Sequence, residues 1–286
     1  MKKLLLLVSL VLLASATVEQ AEQMTSRPFL VKLGSVPNAQ VVGTVAGRYR
    51  CQFSSWWVMK VLFYFGSFVG AEDRSVANSP EYLEMYRILK AAVKLDPYNM
   101  DAYYFAQASF TWELGRIKAV NSLLKYGMKY RNWDYQLPFY AGFNAAFFLR
   151  DYAEGARLMK IAAERSGSPL FTKLAARYFY QARETELGIV FIKAVLRQTK
   201  DENLRKTYSI RLEALQAVHE IESAIVAYRK KYGHSPESLN DLVQSGTLSK
   251  IPDDPYGGHF HIVDGNSVVS TSNFAFANRK RGNDIE

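Results

Sequence analysis

The chain has 286 residues, 49% hydrophobic and 22% charged, with 17 glycines and 9 prolines; this composition excludes a collagen-like, disulfide-scaffolded or largely disordered protein. The 36 basic and 27 acidic residues give a formal charge of +9 without any run of five Lys/Arg, which is a weak argument for nucleic acid and a fair one for an acidic partner or lipid surface. A single cysteine, Cys51, excludes an internal disulfide and a multi-cysteine zinc site, and is expected as a small buried residue rather than a reactive thiol.

Lys2-Lys3 precedes an apolar run from Leu4 to Ala14, and Ala14-Ser15-Ala16 is a small-x-small cleavage site. Leu4 to Val18 falls short of the roughly 20 residues a membrane-crossing helix needs. Residues 1–16 are therefore expected to be a signal peptide, with a retained inner-membrane anchor as the competitor. No cysteine stands at the cleavage point, so a lipoprotein is not expected. Export would place the protein in a bacterial periplasm. Residues 17–50 carry Pro28, Gly34, Pro37, Gly43 and Gly47 and read as an irregular lead-in.

Cys51 to Gly70 is rich in aromatic residues, from Trp56-Trp57 to Phe63-Tyr64-Phe65, and is interrupted by Lys60. A helix packed on its successors is expected, with an interfacial membrane helix as the alternative. From Glu81 to Thr199 the chain becomes a train of helices. Leu83, Tyr86, Leu89, Ala92 and Val93 mark one helical face, which Asp96-Pro97 ends. Six more helices are predicted over Asp101–Leu114, Ile117–Tyr130, Gln136–Leu149, Tyr152–Arg165, Leu170–Glu184 and Glu186–Gln198. Their short connections require antiparallel neighbours.

Leu114 and Leu149 each precede a turn and lie 35 residues apart, while Pro97 and Pro169 lie 72 apart, two units of a helical-hairpin repeat. Tyr103, Ala106, Gln107 and Phe110 occupy first-helix repeat positions, and Ala119 and Leu123 second-helix ones. Met85, Leu89 and Pro97 stand in register in the unit before, and Gly142 takes the small position of the unit after. In these residues the segment 81–200 resembles tetratricopeptide (TPR) repeats. Gln107, Arg131 and Pro138 depart from the pattern, so two to three degenerate repeats are expected, with a non-repetitive bundle as the alternative.

Asp201 to Gly233 reads as a long helix capping the array, with Tyr208, Leu212, Leu215, Val218, Ile221, Ile225 and Tyr228 on one stripe. Its charges, including Arg211, keep it out of a membrane. A short helix is predicted over Pro236–Gln244, then strands at His259–Val263 and Ser267–Thr271 joined by Asp264-Gly265. Tyr228, Gly233, Pro236, Leu239, Leu242, Pro252, Asp254, Pro255, Tyr256 and Gly257 give residues 217–272 a resemblance to the globular part of type II secretion pseudopilins. The helix that enters this unit is polar and follows repeats, so a filament subunit is the alternative rather than the main reading. Residues 274–286 look like a frayed, charged end.

The expected fold class is thus mainly α. A helical-hairpin α-solenoid over 51–200 and a capping helix over 201–233 precede a small α+β helix-plus-hairpin unit over 234–273. Motifs for chemistry are sparse. His259-x-His261 lacks a third metal ligand, and Asp253, Asp254 and Asp264 read as turn residues, with calcium as the other option. Ser54-Ser55 reads as a helix cap. No nucleophile elbow, phosphate-binding loop or dinucleotide fingerprint occurs, so neither an enzyme nor a cofactor is expected, a hydrolase with an unrecognised site being the remaining alternative. Lys125-Tyr126 to Trp133 interleaves basic and aromatic residues, for which repeat packing is preferred over nucleic-acid binding.

In a curved stack of hairpins the first helices line the concave side. The inward positions here are Asp101, Tyr104, Thr111 and Trp112, then Gln136, Phe139, Phe143 and Phe147, then Lys173, Arg177 and Gln181. Aromatic anchors flanked by polar groups suit recognition of a protein or peptide partner in the envelope, with core packing as the competing role of Phe143 and Phe147.

Overall fold

The computed structural model describes residues 33, 34, 36–69, 80–112 and 115–274, with positions 9, 13–15, 17 and 18 near the start. Most of the expected signal segment and residues 275–286 of the expected charged end lie outside the described residues. The protein is mainly helical, 71% helix, with eleven α-helices and one two-stranded antiparallel sheet among the described residues. It divides into two compact units, Met1–Phe110 and Thr111–Glu286.

In the first unit α1 spans Ala39–Ala46, a 3₁₀ turn Gly47–Tyr49, α2 Arg50–Val69 and α3 Tyr82–Leu95; α4, Met100–Trp112, begins in it. The lead-in is therefore helical from residue 39, where an irregular segment was expected. The Asn38 side chain accepts from the Gln40 amide and starts α1, and Ala39, Gly43 and Ala46 bury a narrow small-residue face. α2 packs on α3 through Trp57, Val58 and Val61, all buried. Ser54 is no cap: it is fully buried within α2, where its hydroxyl accepts from Asn99 Nδ2 at 3.0 Å. Cys51 is exposed rather than buried. Desolvation pushes its thiol pKa up and the Asp96 carboxylate adds to that, so the nucleophilic thiolate is disfavoured. At the Asp96-Pro97 elbow the Asp96 side chain accepts from the Tyr98 amide, and Tyr103 donates its hydroxyl hydrogen to the Pro97 carbonyl. Tyr82 and Tyr86 then meet Phe110 edge-on.

The second unit holds α5 (Ile117–Met128), α6 (Gln136–Phe147), α7 (Tyr152–Ser166), α8 (Pro169–Gln181), α9 (Thr185–Gln198) and α10 (Glu202–Tyr232); from α6 onward each packs on the helix before, and α8 also touches α10. The short connections make them successive antiparallel hairpins. Pro138 is tolerated because it is the third residue of α6, where its missing amide would have had no intrahelical acceptor. Gly142 is the close-crossing position: a Cβ there would lie 3.1 Å from the Met159 amide nitrogen and 3.2 Å from the Gly155 carbonyl. Asp151 caps α7, and a left-handed Gly167 with Pro169 at the first turn of α8 makes the next corner. Arg150 and Arg183 take positive φ of 57° and 61° in two other corners.

α10 starts on an Asp201 cap and ends at left-handed Gly233. The short helix α11 spans Leu239–Gln244, three residues later than expected, because Ser238 and Asp241 form a reciprocal capping box. Strands β1 (Phe260–Val263) and β2 (Ser267–Ser270) pair Phe260 with Ser270 and Val263 with Ser267, across a turn whose Asp264 and Gly265 both have positive φ. One hydrophobic core runs from Ala146 through α7, α8, α9 and α10 to Tyr256, Phe260, Val268 and Phe274. Phe274 is therefore no frayed end: it is 3% exposed, with ring centroids 4.3 Å from Tyr180 and 5.8 Å from Tyr256.

Candidate functional site

On α6, Gln136, Phe139, Phe143 and Phe147 recur at three- and four-residue spacing on the side away from the buried Leu137, Ala141 and Ala145. Their rings form a ladder. Phe171, in the first turn of α8, stacks on Phe139 at 4.8 Å; Phe139 lies 6.4 Å from Phe143, which stacks on Phe147 at 5.2 Å and an 11° tilt. Phe148 closes the ladder edge-on to both Phe143 and Phe147. Burial grades along it: Phe171 is buried, Phe139 and Phe143 are half-buried against the core, and Phe147 is 56% exposed. Core packing and display are thus successive rungs of one row.

Lys173, Arg177 and Gln181 run along one face of α8, the first two exposed and Gln181 half-buried. At 100° per residue Lys173 lies about 200° round the helix from Phe171, so the basic stripe leaves α8 on the side away from the ladder. Residues expected to line one trough form two patches in this unit. The basic stripe leads towards α10, where Arg211 is 7% exposed beneath it. Burial, with the neighbouring Arg177 charge, pulls the Arg211 guanidinium pKa down, against the opposing pull of Tyr256 and Asp254. Arg211 donates through Nη2 to the Phe274 carbonyl at 2.9 Å and lies over the Tyr256 and Phe274 rings; its Nε and Nη1 have no hydrogen-bond partner among the described residues.

Of the remaining expected positions, Asp101 and Tyr104 stand exposed on α4 of the first unit. Thr111 is 2% exposed and is corrected to an interior residue. The Trp112 side chain lies outside the described residues. Asp254 is turned inward: its carboxylate accepts from the Ser270 and Ser272 hydroxyls and the Tyr256 amide, which gives it a structural use in the turn. His259 and His261 are exposed on the hairpin, and no group of three or more His, Cys, Asp or Glu converges among the described residues. In the Lys125–Trp133 stretch Lys125 pairs with Glu154 of α7 at 2.6 Å, Tyr126 lies against Tyr130, and Arg131 lies over Trp133.

Arg211 and Tyr180 were the residues sequence reasoning missed. Arg211 sits three residues from Tyr208 and four from Leu215, on the apolar stripe of α10, and that spacing is the signal that could have found it. Tyr180 accepts from the Ser270 amide and donates to the Val268 carbonyl, fastening β2 to α8; nothing local marks it. Set against known proteins, the chain matches no family model, no curated sequence and no solved structure. The fold defines its class as a mainly α protein of antiparallel helical hairpins with a small α+β C-terminal part.

Proposed function

We propose that this chain is an exported, TPR-like adaptor of the bacterial cell envelope, working with a secretion or pilus-type assembly by docking another polypeptide on α6 and α8. It acts without catalysing a reaction. The observation that carries this reading is the Phe171–Phe139–Phe143–Phe147 ladder. Its inner rungs are held rigid by the core and its outer rung is offered to solvent, so an incoming apolar side chain meets a preorganised aromatic surface. Lys173 and Arg177 supply a separate basic patch that orients an acidic segment of the same partner. The leader-like N-terminus supports export, and the repeat spacing supports the docking role.

The test is co-purification from envelope extracts with identification by mass spectrometry. Wild type is compared with Phe147→Ser and with Lys173→Glu/Arg177→Glu. A partner retained by wild type and lost from both variants supports the proposal; no partner, or the same partners on all three proteins, defeats it.

A further inference from the structure

We propose that the exposed aromatic face of α2 in the first unit lies on an anionic bilayer surface, its rings in the headgroup layer and its cations against lipid phosphates. This goes beyond polypeptide docking and uses a different face. Tyr49, Phe53, Trp56 and Phe63 are all exposed, Phe63 by 74% and Trp56 by 57%. Phe53, Trp56 and Phe63, spaced three and seven residues on α2, fall within a stripe about 80° wide at 100° per residue, and Tyr49 lies in the 3₁₀ turn just before it. Trp57, Val58 and Val61 on the other side of the helix fill the core. A helix that buries one apolar side in its own protein and still displays a second, aromatic one has the build of an interfacial element.

Charge selects the occupant. Residues 39–69 contain no Asp or Glu, and they carry Arg48, Arg50 and Lys60. Lys60 lies in the middle of the stripe, so a second copy docked by this face along a symmetric seam would bring ammonium against ammonium. An anionic headgroup layer accepts Lys60 while the flanking rings enter the acyl boundary. None of the described helices is long and apolar enough to cross a membrane, so α2 lies on the surface and does not span it.

A groove of about 410 Å³ on this face is lined by Leu33, Trp56, Met59, Lys60, Phe63 and Tyr64. Leu33 is itself buried, and its amide donates to Glu81 Oε2 at 2.9 Å.

The experiment uses the full chain with vesicles of phosphatidylcholine and phosphatidylglycerol whose acyl chains carry bromine, read by tryptophan quenching and by flotation. Wild type is expected to be quenched, Trp56→Phe to lose most of that quenching, and Trp56→Ser/Phe63→Ser to partition about tenfold less. Replacing phosphatidylglycerol by phosphatidylcholine is expected to weaken wild-type binding. Far-UV circular dichroism and light scattering accompany each variant; unchanged folding is expected because both side chains are exposed. Quenching that persists in Trp56→Phe, or partitioning indifferent to the double substitution, shows binding through another part of the chain and overturns the proposal. A dimer that the double substitution dissolves, without vesicle quenching, assigns the face to a second copy and overturns it equally.

Discussion

Gly155→Ala tests the packing of the second unit most directly, because the usual effect of the substitution has the opposite sign. Within a helix, replacing glycine by alanine gains about 1 kcal/mol. At residue 155 the added Cβ would lie 2.8 Å from the Ala146 Cβ, 3.2 Å from the Gly142 carbonyl oxygen and 3.3 Å from the Ala146 amide nitrogen. Two of these three are backbone atoms of α6, so relief requires the helices to separate and disturbs the contact that sets the aromatic ladder. Overpacking costs about 1–3 kcal/mol. With backbone on the far side the upper part of that range applies, leaving a net loss of about 1–2 kcal/mol after the propensity gain. Gly66→Ala is the control: Gly66 lies inside α2, where beyond its own helix backbone and chain neighbours none of the described residues comes within 4 Å of the added methyl, and the substitution should gain about 0.5–1 kcal/mol. Urea unfolding followed by far-UV circular dichroism reads both. With a urea slope of about 2–3 kcal/mol/M, the midpoint of the second unit's transition should fall by about 0.5 M in Gly155→Ala, and the slope should not change. Gly155→Ala as stable as wild type, or more so, would refute the close crossing of α6 and α7.

Tyr180→Phe removes the hydroxyl that accepts from the Ser270 amide and donates to Val268; the stranded amide should cost about 1–3 kcal/mol in thermal or urea unfolding and speed hydrogen exchange in β2. Phe147→Ala gives up an exposed stacking partner, so a loss of no more than about 1 kcal/mol is expected, against about 3–5 kcal/mol for Phe171→Ala at the buried end; equal losses would mean the ladder is not graded. Burial raises the Glu222 carboxyl pKa against the opposing pull of Thr185, His219 and Arg183. A carboxyl whose folded pKa is raised contributes stability that is fully present below the ordinary value of 4.5 and is lost as pH rises through the folded value. Glu222→Gln, which still accepts from Thr185, should therefore be more stable than wild type at neutral pH and converge with it in acid; a gap that widens in acid would contradict this sign.

Much of this protein was written locally in its sequence. Helix periodicity, the Asp151 and Asp201 caps, the Gly233 stop and the Asp264-Gly265 turn each act within a few residues, so α5 to α10 and the hairpin fall within three residues of their expected bounds. The mainly α class with a small α+β end follows from those elements alone. The two patches on α6 and α8 were legible only as individual helix faces. That Phe171 joins the ladder while Lys173 leaves on the other side depends on which side of α8 meets α6, a relation between segments some 30 residues apart. The same holds for Arg211 and Phe274: composition marks one as surface and the other as frayed end. Only the convergence of α8, α10 and the hairpin encloses them, because burial is conferred by distant segments and not by the residue's own neighbours.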